Sequence, residues 1–162
     1  MTLDPLFNAP LAIQIHVLAV VPAAILGAYL IARPKGTPRH RLLGKIWMAL
    51  MVMTALSSFF IHQINLFYGF SPIHLLSIAV LAGSWRAIVA ARRHDIRGHK
   101  RAVLGMYFGG IVVAGLATLL PGRLMSAVAF SGNSWLAAAM LGLVAAAIVG
   151  AIRFRPRRSR AA

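Results

Sequence analysis

Histidine is the residue type in this chain that is best able to do chemistry. The 162-residue sequence has six histidines, no cysteine and two acidic residues, Asp4 and Asp95, neither of which lies in an apolar stretch. Catalysis by paired carboxylates is therefore excluded, as are thiolate metal sites and the attachment of a c-type haem. What remains is imidazole, which ligates haem iron, zinc or copper and moves protons near neutral pH.

The histidines fall into two layers. The outer layer contains His16, His62 and His74, and the inner boundary contains His40, His94 and His99. An ionisable side chain at membrane depth is a functional hypothesis. The outer group predicts haem b held between two helices, for which Ala19, Ala23 and Gly27 leave room, or alternatively a zinc or copper site made by all three imidazoles. Interfacial histidines that bind loops or lipid headgroups are the third interpretation.

A near-repeat pairs these histidines along the chain. His16 precedes His40 by 24 residues and His74 precedes His99 by 25, with a basic segment inside each pair. A glycine and an aromatic residue follow in each copy: Gly44 and Trp47, then Gly105 and Tyr107. Two parallel helical hairpins are therefore expected, with an outer pair, His16 and His74, and an inner pair, His40 and His99.

Side chains that could orient an imidazole lie close to the outer histidines in sequence. Ser58, Gln14 and Gln63 are the candidates for this role. A polar stripe at helical spacing is predicted to face the interior of the bundle, and it consists of His74, Ser77, Leu81 and Ser84.

Transmembrane helices must position these residues. The chain is 60% hydrophobic and 12% charged, with a mean hydropathy of +0.80. A soluble domain, with about 25% charged residues, is excluded. Since about 20 apolar residues cross a bilayer, the sequence predicts an all-α integral membrane protein with five spans. These are Leu11–Ala32, Leu42–Ile64, Pro72–Ala91, Ala102–Leu120 and Trp135–Ile152.

The basic residues predict the orientation. Sixteen of the 17 lysines and arginines lie in the two loops after the first and third spans or in the C-terminal tail. Because such residues stay cytoplasmic, the N-terminus is expected outside and the C-terminus inside a bacterial cytoplasmic (inner) membrane. The expected organisation is an outer segment (1–10), a four-helix membrane domain (11–125), an outer loop with the fifth helix (126–153) and a basic tail (154–162).

The net charge of +15 predicts anionic inner-leaflet lipid as a partner. Nucleic acid is not expected, because the charges occupy short juxtamembrane segments rather than one continuous face. Arg41, beside His40, is expected to contact a headgroup. Arg123 lies at the opposite, outer end and is expected to contact an anion such as a haem propionate, a phosphate or a substrate carboxylate.

Small and aromatic residues predict packing and anchoring. Close helix packing is expected along a ridge of the fifth span that consists of Ala138, Gly142, Ala146 and Gly150. Gly105 and Gly109 predict a similar ridge on the fourth span. Trp47 and Trp85 lie near span ends and are expected to anchor the helices at the membrane interface.

Four short motifs occur together in this chain. They are His16 in the first span, His40-Arg41-Leu42-Leu43-Gly44, Asp95-Ile96-Arg97-Gly98-His99-Lys100-Arg101, and Pro121-Gly122-Arg123. Over residues 10–125 the chain resembles a bacterial family of predicted membrane proteins, the domain of unknown function 2306. The family's His-Arg pair is intact in the first copy, whereas the second copy has His-Lys and keeps the charge. The resemblance implies a multi-pass membrane protein and supplies no reaction.

Three functions follow as expectations. The first is haem b-binding electron transfer linked to quinone, since the helices and histidines are arranged similarly to those of di-haem b-type membrane cytochromes. The second is a non-catalytic accessory or scaffold subunit of a larger membrane complex, packed through the fifth-span ridge. The third is a transporter of a small solute or lipid. The sequence leaves all three open.

Overall fold

A computed structural model describes residues 3–61, 72–120 and 122–130. Within these ranges all regular structure is helical, which confirms the predicted fold class for this part of the chain. The elements are α1 (Asp4–Phe7), α2 (Leu11–Ala32), α3 (Pro38–Ser58), α4 (Pro72–Arg92), α5 (Ile96–Gly105), a π-helical segment (Met106–Val113), α6 (Ala114–Thr118) and α7 (Leu124–Phe130). His62 and the fifth-span ridge (Ala138, Gly142, Ala146, Gly150) lie outside the described residues.

Three helical stretches in the described chain are long and apolar enough to cross a membrane. They are Leu11–Ala32, Pro72–Arg92 and Ile96–Thr118. The first two match the predicted first and third spans to within one residue, because a continuous apolar run is visible in composition alone. The last begins six residues before the predicted fourth span, because Asp95 caps it by accepting the Gly98 amide at 2.8 Å.

α3 begins and ends earlier than the predicted span Leu42–Ile64. Its N-terminus is capped by Thr37, whose hydroxyl accepts the amide of His40 at 3.1 Å. Pro38 follows at the first helical position, where its fixed φ suits a helix. The helix ends at Ser58 and continues into a turn. Apolar content marks only the middle of this helix, so it misplaces both ends.

The chain divides into two compact units. The larger unit, Leu6–Gly115, contains α2, α3, α4, α5 and the π-helical segment. In this unit α2 packs against α3, α3 against α4 and α4 against α5, and the π-helical segment closes the ring by contacting α2. α2 and α4 therefore face each other across a four-helix bundle, as do α3 and α5. The smaller unit consists of Met1–Pro5 and Leu116–Ala162.

Two aromatic side chains fix α3 and the π-helical segment to the same stretch of α2. The Trp47 Nε1–H donates to the Ala23 carbonyl at 2.9 Å, and the Tyr107 hydroxyl donates to the Ala24 carbonyl at 3.2 Å. A Cβ on Gly27 would lie 2.6 Å from the Tyr107 ring and 2.7 Å from Trp47 Nε1. The prediction that Ala23 and Gly27 leave room for a haem macrocycle is therefore wrong, because the rings of Trp47 and Tyr107 fill that space.

The expected interface anchor at Trp47 is also wrong. Only 2% of this residue is exposed, and its N–H is satisfied by a buried backbone carbonyl instead of the membrane surface. Trp85, by contrast, is 70% exposed, as an anchor would be.

The π-helical segment, Met106–Val113, changes which glycines of the fourth span make close contacts. A Cβ on Gly110 would lie 3.0 Å from Val80 Cγ2. At Gly105 and Gly109 a Cβ would meet nothing within 4 Å in the described chain, and the close packing expected there stays a prediction. Because i→i+5 hydrogen bonding alters which residues share a face, a four-residue spacing does not by itself identify the packed side of this segment.

Candidate functional site

The C-terminal end of α3 holds the imidazole of His16. Its Nδ1 lies 3.1 Å from the Thr54 carbonyl oxygen and 3.0 Å from Ser58 Oγ, with Ser57 Oγ at 3.3 Å. The Ser58 hydroxyl donates to the Thr54 carbonyl at 2.8 Å, so its oxygen is left to accept from the ring. Since the carbonyl can only accept, Nδ1 carries the proton and Nε2 carries the lone pair.

This tautomer prepares His16 to act as a ligand. Histidines that bind metals donate their other ring N–H to a carbonyl or carboxylate, which fixes the orientation of the ring. His16 has this arrangement, and its Nε2 has no hydrogen-bond partner among the described residues. It is half-buried on α2.

His74 approaches the same end of α3 from the facing helix, α4. The residue is 5% exposed, and its Nε2 lies 3.3 Å from the Phe59 carbonyl oxygen. Its ring lies beside the Phe59 ring, with centroids 5.8 Å apart. The structure thus brings His16 and His74 to one short stretch, residues 54–59. His62, the expected third metal ligand, lies outside the described residues, and the described chain holds no cluster of three metal-binding side chains.

Buried hydroxyls surround this outer layer. Thr54, Ser57 and Ser58 on α3 are buried, and so is Ser77 on α4. The interior stripe predicted on α4 is confirmed, since its histidine and both serines are buried. Sequence reasoning named Ser58 but missed Thr54 and Ser57, although all three recur at helical spacing on one face. Gln14 does not orient a histidine, because its Nε2 donates to the carbonyls of Phe7 and Ala9.

His40 and His99 lie at the opposite end of the bundle, in the first turns of α3 and α5. The His99 Nδ1–H donates to the Ala87 carbonyl at 2.9 Å, so its Nε2 carries the lone pair. The Nδ1 of His40 is buried and has no partner in the described chain. Burial is the main cause that lowers the pKa of His40 below its usual 6.5, and electrostatic interaction with His99 and Lys35 lowers it further.

The remaining candidates are surface residues. Arg41 is exposed on the first turn of α3, and His94 is exposed at the turn before α5 with a φ of +56°. Arg123 is half-buried before α7 in the smaller unit. The anion contacts expected of Arg41 and Arg123 stay predictions.

Comparison with known families identifies a match over most of the chain. The model of a family described as predicted membrane protein (DUF2306) matches residues 13–154. The match continues beyond residue 125, where the motif resemblance was expected to end, and so includes the predicted fifth span. No curated protein and no solved structure matches the chain.

Proposed function

The chain belongs to the predicted membrane protein family DUF2306, and we propose that it is a five-span inner-membrane protein that binds haem b between His16 and His74 and exchanges electrons with quinone. The observation that carries this proposal is the pair of histidines on facing helices, both directed at the end of α3 that lies between them. Residues on facing helices of a bundle are a common way to hold a cofactor.

Exposed apolar stripes support membrane insertion of the bundle. On α2 the stripe consists of Leu11, Ile15, Leu18, Val21, Ile25 and Tyr29. On and just after α3 it consists of Leu42, Ile46, Met53, Leu56 and Phe60. Such faces suit hydrocarbon. The stripe on α3 supports a further crossing, although Arg39, Arg41 and Lys45 in its first two turns lower its hydropathy; long basic side chains reach the headgroups from there.

Cysteine labelling tests the proposed orientation. The chain has no native cysteine, so single-cysteine variants carry no background. In intact spheroplasts we expect a membrane-impermeant maleimide to label Leu3→Cys but not Arg39→Cys or Arg93→Cys. The two arginine-site variants should react only after the membrane is opened. The opposite pattern would invert the topology.

The state of the two imidazoles supports haem ligation. His16 already presents its lone-pair nitrogen, because the Thr54 carbonyl and Ser58 hold the other side of the ring. The contact of His74 Nε2 with the Phe59 carbonyl, at 3.3 Å, is slightly longer than a typical N–H···O bond. Haem iron held by imidazole carries one electron between its ferrous and ferric states.

A divalent zinc or copper ion is the second candidate for the same layer. Such an ion would be held by the imidazoles of His16 and His74, and His62 would supply a third ligand.

The absorption spectrum of the protein purified from its native membrane tests the haem proposal. Oxidised and dithionite-reduced samples should show a Soret band and sharp reduced α and β bands, and a pyridine haemochrome assay should give at least one haem per chain. A quinol added to the oxidised protein should reduce the haem. Absence of a chromophore at full haem supply would overturn the proposal. Metal analysis would then test the ion, and co-purifying subunits or bound solute would favour the accessory-subunit or transporter function.

A further inference from the structure

The carbonyl oxygen of Thr54 is shared by three side-chain hydrogen-bond donors. The Nδ1–H of His16 lies 3.1 Å from this oxygen, and the hydroxyls of Ser57 and Ser58 donate to it at 3.0 Å and 2.8 Å. A carbonyl oxygen has two lone pairs, so three donors exceed its ordinary capacity. The ring of His16 therefore competes with two hydroxyls for the group that orients it.

Burial keeps this competition among the same few groups. Thr54 is 8% exposed, Ser57 is 9% exposed and Ser58 is 2% exposed. Hydrogen bonds in such a low-dielectric interior are electrostatically stronger than in water. Donors on one oxygen draw on the same electron density, so each hydroxyl makes the carbonyl a weaker acceptor for the ring N–H of His16.

The hydrogen bond at Nδ1 affects what Nε2 can do as a ligand. A strong acceptor on the N–H side of a histidine raises the basicity of the nitrogen that binds the metal. A more basic ligand stabilises the oxidised form of iron and lowers its reduction potential, and hydrogen bonding around the ligands is one of the ways in which a protein sets this potential. A hydroxyl that weakens the acceptor has the opposite effect.

We propose that Ser57 and Ser58 are positioning residues that raise the reduction potential of the iron bound at His16, by competing with the ring for the Thr54 carbonyl. This inference rests on the proposed function, because it concerns the haem assigned to His16. Orientation of the ring is a separate role, for which the carbonyl itself is present in either case.

Ser57 gives the cleaner test of the two serines. Its oxygen lies 3.0 Å from the Thr54 carbonyl and 3.3 Å from His16 Nδ1, so its main contact is with the carbonyl. Ser58 lies 3.0 Å from Nδ1 and also accepts from the ring. Removing the Ser58 hydroxyl therefore takes away one acceptor of the ring as well as one competitor.

Potentiometric titration of the haem in the full-length protein, purified from its native membrane, tests the proposal. The test variants are Ser57→Ala and the double variant with Ser58→Ala. The matched control is Thr54→Val, which removes a buried hydroxyl that donates to the Leu50 carbonyl at 2.8 Å and keeps the Thr54 carbonyl. Circular dichroism and a pyridine haemochrome assay establish that each variant is folded and carries haem.

We expect Ser57→Ala to lower the midpoint potential, so that at a fixed ambient potential the ratio of ferric to ferrous haem rises by about 2- to 10-fold, the range that corresponds to the net strength of one hydrogen bond. The double variant should shift the ratio further in the same direction, because the ring then has the carbonyl without either hydroxyl. Thr54→Val should keep the wild-type midpoint.

An unchanged or raised midpoint in folded, haem-loaded Ser57→Ala and in the double variant would overturn this inference and leave the proposed function standing. An equal fall in Thr54→Val would overturn it too, since any buried hydroxyl would then have the same effect. Loss of haem from folded Ser57→Ala would mean that the hydroxyl holds the ring instead of weakening the carbonyl. A wild type without haem would overturn the proposed function and this inference together.

Discussion

Replacing His16 by asparagine is expected to abolish the outer haem signal while the bundle stays folded. The asparagine side-chain nitrogen lies about as far from the backbone as Nδ1 and can donate to the Thr54 carbonyl in its place. The variant has nothing equivalent to Nε2, so it loses only the atom that we assign to the iron. The measurement is the reduced-minus-oxidised spectrum, with haem quantified per chain.

His16→Ala separates ligation from anchoring of the ring. It should lose the same haem signal, but it also removes the hydrogen bond to the Thr54 carbonyl and the contact with Ser58. The free energy of unfolding of this variant should therefore be lower than that of the asparagine variant, by about 1 kcal/mol. Unchanged haem content in folded His16→Asn would show that His16 is not a ligand.

Gly27→Ala is expected to destabilise the protein by about 1–3 kcal/mol, the range found when extra volume is forced into a packed core. The new Cβ would lie 2.6 Å from the Tyr107 ring and 2.7 Å from Trp47 Nε1. Both rings are held by hydrogen bonds to α2, so neither can withdraw without loosening its bond to the Ala23 or Ala24 carbonyl. Denaturant unfolding in micelles, followed by circular dichroism, gives the free energy.

Gly44→Ala is the matched control for this effect. Gly44 is also inside a helix, but a Cβ there would meet nothing within 4 Å. Alanine should therefore leave the stability unchanged or raise it by about 0.5–1 kcal/mol, because glycine is the poorer helix former. Adding Tyr107→Leu to Gly27→Ala should recover part of the loss, since the closest ring is then gone. Equal free energies of unfolding for Gly27→Ala and Gly44→Ala would mean that the Trp47 and Tyr107 rings move aside without loss of stability.

Much of the bundle could be predicted from the sequence, because a long run of apolar residues identifies a membrane-crossing helix. α2 and α4 match their predicted spans to within one residue. α3 does not match its predicted span. Its start depends on the hydroxyl of Thr37, and one polar side chain barely changes the average hydropathy of a stretch of residues. Trp47 differs from its predicted role for a related reason: hydropathy gives the depth of a residue along a helix but not the face on which its ring lies.

The sequence can predict which side chains form the candidate site, but not the backbone groups that orient them. Depth and spacing along the sequence predict the pairing of His16 with His74 and of His40 with His99. The groups that fix the rings are the carbonyls of Thr54 and Ala87, and every residue has a carbonyl. No residue type signals such a partner, so the tautomers, and with them the nitrogens left to ligate, needed the three-dimensional structure.

The π-helical segment also bears on how the two hairpins came to differ. Seven residues separate His40 from Trp47, whereas eight separate His99 from Tyr107, and the π-helical turns begin at Met106. In an α-helix one additional residue would rotate everything after it by about 100°. A wider turn absorbs the surplus residue and returns the later side chains to their face. If the hairpins descend from a duplicated ancestor, these turns can absorb a surplus residue in the second copy, so that side chains after Tyr107, such as the buried Ile111, keep facing the interior of the bundle.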